Sequence, residues 1–346
     1  MTGPFDRMDL YATPGNPIPP GANLLAVRTR DGRQLRTARW VARNPRGTVI
    51  VAMGRSEFIE EYYEVVAALL ARNFDVVAWD WRGQGASDRE CRRPRRGHVR
   101  SFAGYRRDLD AIEQQILKPV ARKPWFALGH SMGAAILIDQ AHDGRSPYER
   151  LVLTAPMIGV PLRAKRAVRR VARIATFLGF GQALIPGGAE DSAFVLRTFD
   201  NNILTSDLTQ YRRLEAAIGA LPAFVVGAPT MGWLDGACRL MARFERPRYP
   251  VEVLTPILIV AAGDDSIVDT RATERFARRL KAGRCFTIPH ARHQVHMETP
   301  EITAQFWAAF DAFIPGNPAE VHAHPAPIPH AVPEPRPVRM PRARTL

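Results

Sequence analysis

One serine, two late aspartates and three late histidines carry the chemistry this sequence can do. Ser131 stands in Gly129-His130-Ser131-Met132-Gly133, between the apolar run Trp125–Leu128 and a run of helix formers that begins at Ala134. A serine in G-x-S-x-G between a strand and a helix sits on a strained elbow, and the flanking glycines keep a Cβ from striking the neighbouring backbones. Its hydroxyl is then exposed above the sheet edge. The new helix points its first free N–H groups and its positive dipole end at whatever bonds to that oxygen, which suits an oxyanion. A Gly-Ser-Gly surface turn would satisfy the same five-residue pattern, so context must decide.

An activated serine needs a base, and the base needs an orienting carboxylate. Gly263-Asp264-Asp265-Ser266-Ile267-Val268 follows the apolar run Pro256–Ala262, and a second loop after Arg284–Ile288 carries His290, His293 and His296. Both loops follow strand-like runs and come in the order serine, acid, histidine. At this level Asp264 and Asp265 are both candidates.

The elements that must position these residues form an alternating pattern. Asn23–Thr29 and Gln34–Val41 flank Asp31-Gly32 and read as a hairpin, because Asp-Gly supplies the positive φ of a tight turn. Gly47–Met53, Phe74–Trp79, Trp125–Leu128 and Leu151–Thr154 are short continuous apolar runs of the kind that lie in parallel sheets covered on both faces. Helical patterns at Glu61–Arg72 and Ser101–Leu117 separate them, the latter with an acidic face of Asp108, Asp110 and Glu113. Strands alternating with helices predict an α/β fold, a mostly parallel central sheet with helices on both faces and the site at the strands' carboxyl ends. The alternation stops after Thr154 and resumes at Pro256, so residues 156–249 are expected to form a helical cap. The expected organisation is an extended lead-in over 1–22, a core over 23–155 and 250–314, the cap, and a disordered Pro- and Arg-rich tail over 315–346.

Composition narrows the function class. The chain has 346 residues, 46% hydrophobic and 24% charged, with a formal charge of +14. No stretch approaches the ~18 apolar residues of a membrane span, and the first ten residues lack the layout of a signal peptide, so the cytoplasm is the expected compartment. Cys91, Cys238 and Cys285 are too widely spaced for a disulfide framework or a metal-ligand cluster and are expected as buried or half-buried thiols. The positive charge is almost wholly arginine, and no nucleic-acid-binding motif accompanies it, so nucleic acid is not an expected partner.

Together with the two late loops, Gly129–Gly133, the stretch Asp80-Trp81-Arg82-Gly83-Gln84-Gly85-Ala86-Ser87 and Gly97-His98-Val99 resemble the α/β-hydrolase group that holds monoacylglycerol lipases and bacterial lysophospholipases. The likeness runs over about residues 25–314. Asn202–Tyr211, Val226–Thr230 and Trp233 resemble the lysophospholipase branch more closely. The resemblance implies the α/β-hydrolase fold, Ser131 as nucleophile, Asp265 as acid and His293 as base, with Gly129, His130 and Gly133 forming the elbow. Asp265 with Val268 fits the family spacing better than Asp264 with Ile267, and His296 is expected to pack back into the core. The family commonly has His-Gly after the first buried strand, where this chain has Met53-Gly54-Arg55. The backbone N–H groups of Arg55 and Met132 are the implied oxyanion donors, so the missing histidine need not damage the hole. A second family glycine is Ala134 here.

The implied activity is hydrolysis of a small lipid ester, a lysophospholipid or a monoacylglycerol, with no metal or cofactor. The alternatives are a short-chain esterase or a peptidase/amidase of the same fold, or a non-catalytic lipid-binding module. Two basic stretches border the expected mouth: the loop Arg82–Arg100, and Arg163–Leu178, where apolar residues share one helical face and arginines occupy much of the rest. A basic amphipathic helix implies peripheral contact with an anionic membrane surface, here at the inner face of the membrane. The competing reading packs its apolar face on the body of the protein. Oligomeric state is left open.

Overall fold

The computed structural model describes residues 9–161, 164–190 and 198–315. Eight strands form one sheet: β1 Ala22–Arg28, β2 Gln34–Trp40, β3 Thr48–Ala52, β4 Asp75–Trp79, β5 Trp125–His130, β6 Arg150–Thr154, β7 Ile257–Ala262 and β8 Gly283–Ile288, in the spatial order β1-β2-β4-β3-β5-β6-β7-β8. The Asp31-Gly32 hairpin pairs β1 with β2, which runs antiparallel to β4, and every pairing from β4 to β8 is parallel.

Every residue of β3, β4, β5 and β7 is buried, as the continuous apolar runs require of strands covered on both sides. Alternate residues divide between two cores. Ile50, Val77, Leu151 and Ile259 face the helices Ala103–Ile112 and Ser131–His142, while Val49, Val76, Val152 and Leu258 face Tyr63–Ala71 and Pro300–Phe313. Between β6 and β7 the described chain is helical, with Lys165–Phe177, Leu208–Ala220 and Met231–Phe244 as its main helices. Among the described residues, no helix is long and apolar enough to cross a membrane.

Some local expectations give way to tertiary partners. Asp108, on the acidic face, is fully buried and accepts hydrogen bonds from Arg82. From Asp9 onward the lead-in is tied down, with Asn16 donating to the Glu60 carbonyl and Trp40 Nε1 donating to Pro19 O. Cys238 is buried and Cys91 half-buried, but Cys285 is exposed on the edge strand β8. Of the tail expected over 315–346, residues 316–346 lie outside the described residues, as does Arg163.

Candidate active site

Strand β5 delivers Ser131 to the carboxyl edge of the sheet with φ +49°, a left-handed turn that leads straight into the helix Ser131–His142. The turn depends on close backbone approach. A Cβ on Gly133 would collide with the Ala52 and Met53 carbonyls, and one on Gly129 would reach 2.9 Å from Ala134 Cα. Ser131 Oγ lies 3.0 Å from His293 Nε2, and His293 Nδ1 lies 2.7 Å from Asp265 Oδ2. The other carboxylate oxygen of Asp265 accepts from the Ile267 and Val268 amides at 2.8 and 2.9 Å, so the acid presents one fixed lone-pair direction to the histidine. These contacts make His293 Nδ1 the donor to Asp265 and leave Nε2 to accept from the serine hydroxyl.

The other candidates lie elsewhere. Asp264 and His290 face each other at 3.6 Å on the surface, with side chains 63% and 90% exposed. His296 is buried, stacked on Tyr62, and burial pushes its pKa down to about 3. Behind the serine, His130 is held by Thr154 Oγ1 and lies 3.3 Å from Glu57, and burial lowers its pKa well below the usual histidine range. Both rings are therefore neutral, and among the described residues the Ser131 hydroxyl bonds to neither of them but to His293.

The loop after β3 carries Arg55, and its amide has no acceptor among the described residues. That loop is tightly held. Glu57 accepts from Gly54 N, Tyr62 Oη and Gln294 Nε2, and Gln84 bonds to Ser56 N, Gly54 O and Glu57 O. The Met132 amide belongs to the first turn of the following helix, whose leading N–H groups have no intrahelical partner. The loop bearing His293 is anchored in turn by Glu298, which accepts from Arg292 N, Ser206 N and Ser206 Oγ.

Ser131 and His293 open into a cavity of about 290 Å³, walled mainly by Met157, Val160, Ile185, Leu204, Val225, Trp233, Leu234 and Met241. Thr230 caps the helix that brings in Trp233 and Met241. Polar groups on the wall, besides the serine and histidine, are Arg55, Ser56, Glu57, Glu61 and Gln294. Burial beside Glu57 and Glu60 raises the Glu61 carboxyl well above its ordinary pKa. Sequence reasoning passed over Glu57, Glu61 and Gln294. Gln84 was visible only as one letter of the Asp80–Ser87 stretch.

The two basic stretches differ from each other. In the Arg82–Arg100 loop, Arg82 is fully buried against Asp31, Glu90 and Asp108, while Arg93 and Arg96 pair with Glu190, so much of that charge is structural. The helix Lys165–Phe177 packs on Met231–Phe244 through only part of its apolar side, with Ala172 buried. Val171, Ile174, Phe177 and Leu178 are exposed, as is Phe180 just beyond, and Arg166, Arg169, Arg170 and Arg173 are exposed on the same helix.

The profile of the serine aminopeptidase S33 family, Hydrolase_4, matches residues 43–300. Lysophospholipase L2 of Escherichia coli is 30% identical over 281 residues, 78% of this chain and 80% of that protein. The monoglyceride lipase of Rattus norvegicus is 26% identical over 274 residues, 79% of this chain and 84% of that one. Among solved structures, a soluble variant of the monoglyceride lipase of Saccharomyces cerevisiae superposes with a TM-score of 0.67 at 19% identity, covering 84% of this chain and 95% of its own. The Paleococcus ferrophilus monoacylglycerol lipase gives 0.65 at 19% identity, covering 81% and 98%.

Proposed function

The chain belongs to the serine aminopeptidase S33 family, and on that footing we propose that it is a serine hydrolase of lipid esters, cleaving lysophospholipids or monoacylglycerols. The observation that carries the reading is the hydrogen-bonded line from Ser131 through His293 to Asp265, set in the floor of an apolar cavity. Ser131 Oγ attacks the acyl carbonyl as its proton passes to His293 Nε2. Asp265 keeps the proton on Nδ1 and steadies the imidazolium. The amides of Arg55 and Met132 receive the developing oxyanion, and His293 returns the proton to the leaving alcohol. Water, activated by the same histidine, then hydrolyses the acyl-enzyme.

The apolar wall favours a fatty acyl chain over a peptide or a short polar acyl group, since each buried methylene is stabilised by about 0.8 kcal/mol. Residues 156–249 serve in this reading as the cap over that chain. The exposed apolar stripe of Lys165–Phe177 beside its arginines supports peripheral contact with an anionic membrane, from which such substrates would be drawn. The test is turnover of a matched panel of lysophospholipids, monoacylglycerols and short p-nitrophenyl esters by the wild type and Ser131→Ala. Long-chain lipid esters should be hydrolysed by the wild type alone, and a preference for peptide or short-acyl substrates would overturn the assignment.

A further inference from the structure

Arg55 presents to the cavity that holds Ser131 a largely enclosed cation with no counter-charge among the described residues. Two other buried guanidinium groups are matched with carboxylates. Arg36 is paired with Glu60 and Asp80, and Arg82 with Asp31, Glu90 and Asp108. Among the described residues the Arg55 guanidinium donates only to the Gly227 carbonyl, its Nε–H is unbonded and it has no carboxylate partner, and it lies over the Trp233 ring at 5.3 Å. It is walled in by protein, and burial draws its pKa down to about 10, yet the residue keeps accessible surface as part of the cavity lining. Room is made for it: a Cβ on Gly97 would collide with its Nη2. An unpaired charge held this way is costly unless a ligand completes it.

Resting on the ester-hydrolase reading of this cavity, we propose that the Arg55 side chain binds the phosphodiester of the substrate headgroup, so that the site selects lysophospholipids over monoacylglycerols. The reach fits. In a 1-acyl lysophospholipid the phosphorus lies six bonds from the ester carbonyl carbon, about 6–7 Å, and an arginine spans about 6 Å from Cα to Cζ. The residue whose amide meets the carbonyl oxygen can therefore meet the phosphate with its fork of N–H donors, a geometry guanidinium matches in two places at once. A monoacylglycerol has a hydroxyl there and leaves the cation unpaired.

The experiment compares kcat/KM for a 1-acyl lysophosphatidylethanolamine and the monoacylglycerol of the same chain, in the same detergent, for the wild type, Arg55→Met and Arg55→Lys. Taking the ratio divides out any disturbance of the Arg55 amide. The ratio should fall on the order of 10- to 100-fold in Arg55→Met, the worth of a hydrogen bond to a charged group, mainly through KM. It should fall less in Arg55→Lys, which carries the test alone should the methionine variant not fold. A ratio unchanged within about twofold would overturn the proposal. An effect of added inorganic phosphate on wild-type monoacylglycerol turnover that Arg55→Met lacks, found beside an unchanged ratio, would assign the guanidinium to a free anion instead. Failure of the underlying reading looks different: neither lipid is turned over, or Ser131→Ala retains both activities.

Discussion

Replacing Asp265 by asparagine isolates the orienting role of the acid, because the structure fixes which way the new amide must turn. Oδ1 of Asp265 accepts two backbone N–H groups at 2.8 and 2.9 Å, so the asparagine carbonyl oxygen must stay there and its NH₂ must face His293 Nδ1. His293 would then carry its proton on Nε2, pointed at Ser131 Oγ 3.0 Å away, and could not accept the serine proton. Flipping the amide to restore the tautomer sets its NH₂ against two backbone donors. Two buried hydrogen bonds left unmade cost about 1–3 kcal/mol each, about 2–6 kcal/mol together. Loss of the negative charge that steadies the imidazolium adds to this, so kcat should drop about 10³- to 10⁴-fold. Steady-state hydrolysis of a soluble p-nitrophenyl ester reads this directly, with thermal melts showing that the variant is folded. Asp264→Asn, at the exposed neighbour, should change kcat by less than about twofold. Asp265→Asn keeping more than about a tenth of kcat, or Asp264→Asn losing the more, would refute the reasoning.

Arg36→Met should cost about 3–5 kcal/mol in urea unfolding, because Glu60 and Asp80 would be left buried without their cation; a change under about 1 kcal/mol would contradict this. Stability should also depend on pH through His296. Its folded pKa of about 3 lies below the ~6.5 of the unfolded chain, so its contribution is complete above about pH 6.5 and falls by about 1.4 kcal/mol per unit as the pH drops towards 3. His296→Phe should flatten that slope by this amount, and an unchanged slope would refute the assignment. The protein should cosediment with phosphatidylglycerol vesicles at low salt and release at high salt, each basic residue at the surface contributing about 1 kcal/mol. Exchanging Arg166, Arg169, Arg170 and Arg173 for Gln together with Phe177→Ser should weaken that binding, and binding that persists unchanged would place the contact elsewhere.

The strands and the elbow were legible because their signals are local. A buried parallel strand must be apolar along its whole length, as in Thr48–Ala52 and Ile257–Ala262, and a backbone crossing as close as Gly133 to Ala52 admits only glycine. Polar residues were harder to read, since periodicity gives the face on which a side chain stands and not what covers that face. By pattern Asp108 stands on an acidic helical face, yet Arg82 covers it, and Arg82 itself, by pattern part of a basic rim, is held by three carboxylates. Glu57 and Gln294 carry no pattern of their own, and they meet across 237 positions of sequence. In the helix Lys165–Phe177 the pattern shows one apolar stripe, and Met231–Phe244 covers part of it.

The central claim is that an activated Ser131 hydroxyl performs the hydrolysis, and covalent trapping tests it most directly. A fluorophosphonate incubated with the full chain, followed by peptide mass mapping, should add one phosphonyl group, on the peptide that contains Ser131. Lipid-ester turnover should disappear in step with labelling, and Ser131→Ala should take neither label nor substrate while remaining folded. Labelling at another residue, or lipid-ester hydrolysis that survives Ser131→Ala, would contradict the account.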